Sequence, residues 1–150
     1  MMKKGLIALG CVVILIIGYL FWYYTSSADD EIYLMQKDFT GIVIIRYDVP
    51  NGADIIYENG KRIYNIPSSG ILETKFSPNE GWSAPPQYYY LDGANRIPIT
   101  RHKVYSFEVG TAMNNITNKN ITYASYIVSD EKNIDSLYNV REKMNILNAK

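Results

Sequence analysis

Gly41-Ile42-Val43-Ile44-Ile45-Arg46-Tyr47-Asp48 is the stretch on which the fold turns. Its β-branched run is too short for a helix, and Gly41 and Pro50 bound it, so it reads as a strand. Alternation puts Val43, Ile45 and Tyr47 on one face and Arg46 and Asp48 on the other. Such a strand needs partners, and the chain on either side supplies them. Asn51-Gly52 and Asn59-Gly60 are turn dipeptides that tolerate positive φ. Residues 61–66 form a strand stopped by Pro67, and Ser68-Ser69-Gly70 is a turn. Residues 71–76 alternate, with Leu72, Thr74 and Phe76 facing one way and Glu73 and Lys75 the other.

Residues 77–86 form a loop containing Pro78, Gly81, Pro85 and Pro86. An aromatic strand over 87–91 follows, turned by Asp92-Gly93 into a strand over 96–100. Residues 103–109 alternate, with Tyr105, Phe107 and Val109 pointing one way. The Asn-rich segment 110–120 is expected to be a long connection, and residues 121–128 a further strand. Upstream, residues 32–36 make a short first strand. Fourteen tyrosines, eleven of them after residue 28, suit half-buried pleated surfaces.

Seven or eight short strands with frequent turns predict a mainly β fold: an antiparallel β-sandwich or open barrel. A parallel sheet needs crossover helices, and none is expected before residue 130. From Asp130 onward helix formers dominate. Ile134, Leu137, Tyr138, Arg141, Met144 and Leu147 recur near a 3.6-residue period. Ser129 or Asp130 can cap the start, and Asp130 and Glu131 suit its positive end. One C-terminal helix over residues 132–147, packed on the sheet, is expected.

The N-terminus has a different character. Met1-Met2-Lys3-Lys4 precedes twenty uncharged residues, 5–24, that open with Gly5 and close with Tyr24. That length matches the roughly 20 residues a helix needs to cross about 30 Å of hydrocarbon. Tyr19, Phe21, Trp22, Tyr23 and Tyr24 form an interface belt at its far end. Lys3 and Lys4 lie before the run and Asp29, Asp30 and Glu31 after it. The positive-inside rule then places the N-terminus in the cytoplasm and residues 29–150 in the periplasm or outside the cell. A cleaved signal ending at Ser26-Ser27-Ala28 and a lipid-modified Cys11 are the alternatives. The run exceeds the 7–15 residues of a usual signal core, which favours an uncleaved transmembrane anchor. Ala8-Leu9-Gly10 before Cys11 and the apolar residues 12–17 after it argue against lipidation. The organisation expected is a membrane anchor and tether over residues 1–28 and one extracytoplasmic domain over 29–150.

Formal charge is zero over the chain, and the outer domain has 13 basic against 15 acidic residues. Without clustered Lys and Arg this is a poor nucleic-acid binder. Cys11 is the only cysteine, so the outer domain has no disulfide. His102 is the only histidine and sits between Arg101 and Lys103, as expected of a solvated turn residue rather than the base of a triad. Asp48, Asn51 and Asp54 crowd one turn, but their spacing does not match a calcium loop. No metal and no cofactor is expected.

Trp82, Tyr88, Tyr89 and Tyr90 cluster around the Pro-rich loop. Buried, they pack the loop on a sheet. Exposed, they could stack on sugars or anchor a protein, and Asn79, Glu80, Trp82, Tyr88 and Tyr90 are then the binding residues to test. Alternation sets Tyr88 and Tyr90 on one face and Tyr89 on the other.

Phe39-Thr40-Gly41-Ile42-Val43-Ile44-Ile45, then Asn51-Gly52, then Tyr57-Glu58-Asn59-Gly60-Lys61-Arg62-Ile63-Tyr64-Asn65-Ile66-Pro67-Ser68-Ser69-Gly70-Ile71-Leu72-Glu73-Thr74-Lys75, then Gly81-Trp82 and Tyr88-Tyr89-Tyr90, together resemble an uncharacterised bacterial domain family. Its members are small, membrane-anchored or exported proteins, mainly of Bacteroidetes-like organisms. The resemblance covers about residues 32–100 and implies no catalytic residue. Ile66-Pro67-x-x-Gly70-Ile71 is also similar to an element of transthyretin-type sandwiches, which with immunoglobulin-like domains give a fold-level analogy. The function expected is non-catalytic binding or scaffolding in the cell envelope, with the lipid bilayer and an envelope protein or glycan as partners and no nucleic acid. The alternative is a small envelope hydrolase using a carboxylate pair, of which the sequence selects none. A third possibility, association through the anchor helix, is weak because Gly10 and Gly18 lack the four-residue spacing of close helix packing.

Overall fold

The structure is a computed structural model that describes residues 2–25, 27–114 and 119–149. The chain forms two compact units: Met1–Asp29 with Asn79–Ser83, and Asp30–Pro78 with Ala84–Lys150. In the first, helix α1 (Met2–Thr25) runs for 24 residues. Among the described residues no helix is long and apolar enough to cross a membrane, so the fold does not by itself establish the expected spanning helix.

The second unit is mainly β. Its strands are β1 (Glu31–Gln36), β2 (Gly41–Arg46), β3 (Tyr57–Glu58), β4 (Lys61–Asn65), β5 (Ile71–Glu73), β6 (Gln87–Asp92), β7 (Asn95–Pro98), β8 (Val104–Asn114) and β9 (Lys119–Val128), followed by helix α2 (Ile134–Glu142). They form two open sheets, one of order β3-β4-β1-β6-β7 and one of order β5-β2-β9-β8. Val43, Ile45 and Tyr47 bury one face together as their alternation predicts, opposite Tyr33, Met35 and Tyr64 of the other sheet. Leu72, Thr74 and Phe76 are buried, whereas Glu73 and Lys75 are exposed.

The purely antiparallel expectation is corrected: both sheets are mixed, and neither closes into a barrel. β1 runs parallel to β4 and to β6, and β2 runs parallel to β5. The crossover rule assumed that a helix must cover each return. Here the opposite sheet covers it. Between β1 and β4 the chain passes through β2, and between β2 and β5 through β3 and β4. Each sheet supplies the apolar layer that a crossover helix supplies elsewhere.

Three local expectations also change. The segment 110–120 is not a long connection: β8 continues to Asn114 and β9 begins at Lys119, and the ladder holds out to Asn114↔Lys119. Residues 115–118 of that expected loop, like Ser26 of the tether, lie outside the described residues. Tyr105 does not share a face with Phe107 and Val109. Tyr105 pairs with Ile127 and Glu108 with Ser125, so Ser106 and Phe107 oppose the single residue Tyr126. This bulge, with Ser106 at φ 50°, reverses the alternation.

The C-terminal helix ends at Glu142, five residues before the expected 147. Asn145 competes with the helical ladder, its Oδ1 accepting from the Leu147 amide at 3.0 Å. Arg46 then holds the tail: its guanidinium donates to Ile146 O at 2.9 and 2.7 Å and to Ala149 O at 2.8 Å. α2 lies over the outer face of the second sheet, where Arg141 Nε donates to Ser125 Oγ at 2.9 Å. Gly70 closes the turn before β5 at φ 78°, and a Cβ there would collide with Ile42 O.

Candidate functional site

The most concentrated polar chemistry lies inside the second unit. The parallel registers set Tyr33 beside Tyr64 on one side and Tyr88 on the other. In-register neighbours place like side chains directly alongside, so the rings stack across three strands. Tyr33 and Tyr64 have centroids 4.9 Å apart and planes at 14°, and Tyr33 and Tyr88 have 5.1 Å and 16°. Tyr126, from the facing sheet, meets Tyr33 and Tyr88 edge-on. Phe76 continues the cluster beyond Tyr64, with Arg62 over its ring at 4.9 Å.

Glu31 joins this stack from the first position of β1 and is only 7% exposed. Tyr33 donates its hydroxyl to Oε2 at 2.8 Å, and Tyr64 donates to Oε1 at 3.2 Å. Burial pushes the Tyr33, Tyr47, Tyr64, Tyr88 and Tyr126 phenols well above the usual tyrosine range, and the Glu31 charge pushes them further the same way. They are therefore donors, not phenolates. Hydroxyls that stay protonated around one carboxylate can order and orient a polar interior. They do not make a nucleophile with a base, nor the facing carboxylate pair of a glycosidase. The Tyr126 hydroxyl is fully buried, and no group among the described residues hydrogen-bonds it.

The five proposed binding residues do not come together in one described unit. Tyr88 and Tyr90 belong to the second, half-buried against its core, with the Tyr90 hydroxyl donating to Phe39 O at 3.1 Å. Tyr89 lies on the other face with Leu91, as its alternation predicts. Asn79, Glu80 and Trp82 belong to the first unit. There Asn79 clamps the chain just after α1: its Oδ1 accepts from the Asp29 amide at 3.1 Å, and its Nδ2 donates to Asp29 O at 2.7 Å. Ala28 N donates to Trp82 O at 2.8 Å. Trp82 is 65% exposed, and its ring lies 5.8 Å from that of Tyr23, which itself packs on Tyr19 and Tyr24. The loop thus adds one ring to the aromatic end of α1, a contact between residues far apart in sequence that periodicity alone does not reveal.

The other candidates fall elsewhere. His102 lies exposed in a short 3₁₀ turn, Arg101–Lys103. Asp48 accepts from the Ser77 hydroxyl at 2.6 Å, and Asp54 pairs with Lys75, which holds its carboxyl below the usual range. Among the described residues no group of three or more His, Cys, Asp or Glu side chains could hold a metal ion. A groove of about 710 Å³ runs beside Arg46, Glu73 and Ala149, where the Arg46 charge already meets Glu73 at 2.7 Å and the tail carbonyls.

A model of a family of unknown function, DUF6843, matches residues 27–137. The chain belongs to that family. The match begins after α1 and takes in both sheets and the start of α2. The fold of this chain is similar to a solved one: a crystal structure from Bacillus anthracis, of a protein provisionally described as a lipoprotein, superposes with a TM-score of 0.60. Identity is 20%, over 68% of this chain and 71% of that one, so the likeness is one of fold. No curated protein matches the chain.

Proposed function

We propose that this DUF6843 protein is a cell-envelope β-domain, tethered to a membrane by its N-terminal segment, that works by contact rather than catalysis. The observation that carries the reading is the surface of α1. Its large side chains from Val12 to Tyr24 are exposed around the whole helix, with Ile14 at 70%, Leu15 at 72% and Phe21 at 71%. A helix apolar on every side is at home in hydrocarbon rather than water. The uncharged run extends back to Gly5 in the sequence, and Lys3 and Lys4 stand at its cytoplasmic end. Trp82, beside Tyr23, then belongs to the boundary layer between headgroups and water. Asn79, Glu80 and Trp82 are the surface offered to an envelope protein or glycan.

The lipoprotein description of the Bacillus anthracis relative favours an envelope location and keeps a second mode of attachment in view, a lipid on Cys11. One experiment separates the alternatives. The full chain is expressed with a C-terminal tag, and protease is added to spheroplasts with a sealed inner membrane and to lysed cells. The tethered reading expects digestion in both and a full-length band that resists alkaline extraction from membranes. A domain protected in spheroplasts refutes the topology. Incorporation of a labelled fatty acid that Cys11→Ala abolishes would replace the spanning anchor with a lipid one.

A further inference from the structure

Four strands form the sides of the two sheets, and they are unequally guarded. β3 has two residues, β5 three, and β7 four, ending in Pro98 and carrying Arg96 bound to Glu58. β8 has eleven, without proline or lysine. Short edges, prolines and lysines are the usual means by which a sheet avoids adding strands, and bulges are another. The bulge at Ser106 and Phe107 protects the first part of β8. From Glu108 onward the strand pairs without interruption with β9, and among the described residues no strand pairs with its other side. Val109, Thr111 and Met113 share the face that, nearer the bulge, carries the Phe107–Tyr126 stack. Val109 is 62% exposed and Met113 58%.

The geometry points to a second copy of this chain as the occupant of that edge, paired antiparallel about a two-fold axis at Thr111. The strand is complementary to itself in that register. Val109 of each copy falls opposite Met113 of the other, so both exposed apolar side chains are covered. Thr111 meets Thr111, a favourable cross-strand pair. On the opposite face Gly110 meets Ala112, and small residues are needed there because the Tyr123 hydroxyl lies 2.8 Å from where a Cβ on Gly110 would sit. Glu108, the only charge in the strand, is already paired with Arg141 in its own copy. Moving the axis to residue 108 would set Glu108 against Glu108. Isologous pairing of this kind closes after two copies and so ends the edge instead of propagating it.

The test uses the full chain in its membrane fraction, with Cys11 replaced by Ser. Paired residues at the axis have Cα atoms about 4.5–5.5 Å apart, within disulfide reach. Thr111→Cys is therefore expected to form a covalent dimer under mild oxidation. Val109→Cys alone is expected to give little, but to link when co-expressed with Met113→Cys. Adding Val109→Lys to the Thr111→Cys chain is expected to reduce the covalent dimer at least tenfold while the melting temperature is kept, which separates lost pairing from lost folding. A folded Thr111→Cys chain that stays monomeric overturns the proposal. So does cross-linking that survives Val109→Lys, which would mean that α1 holds the copies together. An environment-sensitive dye at residue 113 that responds to lipid vesicles but not to protein concentration also overturns it, in favour of a membrane on this edge.

Discussion

Two substitutions that delete the same atom should change stability in opposite directions. Tyr33→Phe and Tyr126→Phe each remove one phenolic oxygen and leave a buried ring in its stack. At Tyr33 that oxygen donates to Glu31 Oε2 at 2.8 Å, and Glu31 is 7% exposed. A hydrogen bond to a buried charged group is worth about 1.5–3 kcal/mol, because the acceptor left behind cannot recover it from water. The contact at 3.2 Å from Tyr64 remains, so the loss should be near ~2 kcal/mol. At Tyr126 the hydroxyl has no partner among the described residues, and deleting it removes a desolvated polar group at a gain of about 1 kcal/mol. The assay is equilibrium urea unfolding of the full chain in a mild detergent, followed by far-ultraviolet circular dichroism. The midpoint should fall for Tyr33→Phe and rise for Tyr126→Phe, with unchanged slopes. A neutral Tyr33→Phe would mean that water reaches Glu31 and replaces the lost donor. A Tyr126→Phe loss above about 1 kcal/mol would mean that its hydroxyl is satisfied. Either result refutes the reading of the interior as donors arrayed around one carboxylate.

Alkaline stability follows from the same five phenols. Their folded pKa values are raised by burial, so the folded state holds protons that the unfolded chain releases. Stability is therefore full below about pH 10 and falls above it, by up to ~1.4 kcal/mol per pH unit for each group. Absorbance at 295 nm should show tyrosines that titrate only on unfolding, and normal titration of all fourteen tyrosines in the folded protein would contradict this. Gly70→Ala should cost at least ~2 kcal/mol, since it combines a left-handed backbone with a collision on Ile42 O, and an unchanged melting curve would show that the turn can relax. Truncation after Glu142 removes the Ile146 and Ala149 carbonyls from the buried Arg46. It should cost ~2–3 kcal/mol, and Arg46→Met in the truncated chain should restore part of that, as judged by the urea midpoint.

Alternation made much of the second unit legible. Val43, Ile45 and Tyr47, the Leu72–Thr74–Phe76 face and the split of Tyr88 and Tyr90 from Tyr89 all follow from period two. What alternation does not carry is the direction of the neighbouring strand. Ile32 and Tyr33 look the same whether β4 runs with them or against them, and only the two-layer covering of each return allows the parallel pairing. The bulge at Ser106 was hidden for a related reason, since a single residue in a left-handed conformation leaves the composition unchanged but inverts every face before it. At the helix the period continued through Met144 and Leu147, yet Asn145 and the Arg46 clamp outweighed it. Glu31 read as part of an acidic flank after the apolar run. Its burial depends on Tyr33 and Tyr64 meeting across strands, which one chain read in order cannot display.

The pairing order also governs when this molecule can acquire its form. β1 waits for neighbours that emerge with residues 61–65 and 87–92, and β2 waits for residues 71–73 and 123–128. The first sheet is complete only with β7 at Pro98 and the second only with β9 at Val128, so the core between them cannot close until most of the chain has left the ribosome. Late assembly keeps the chain threadable, as the proposed crossing of a membrane would require.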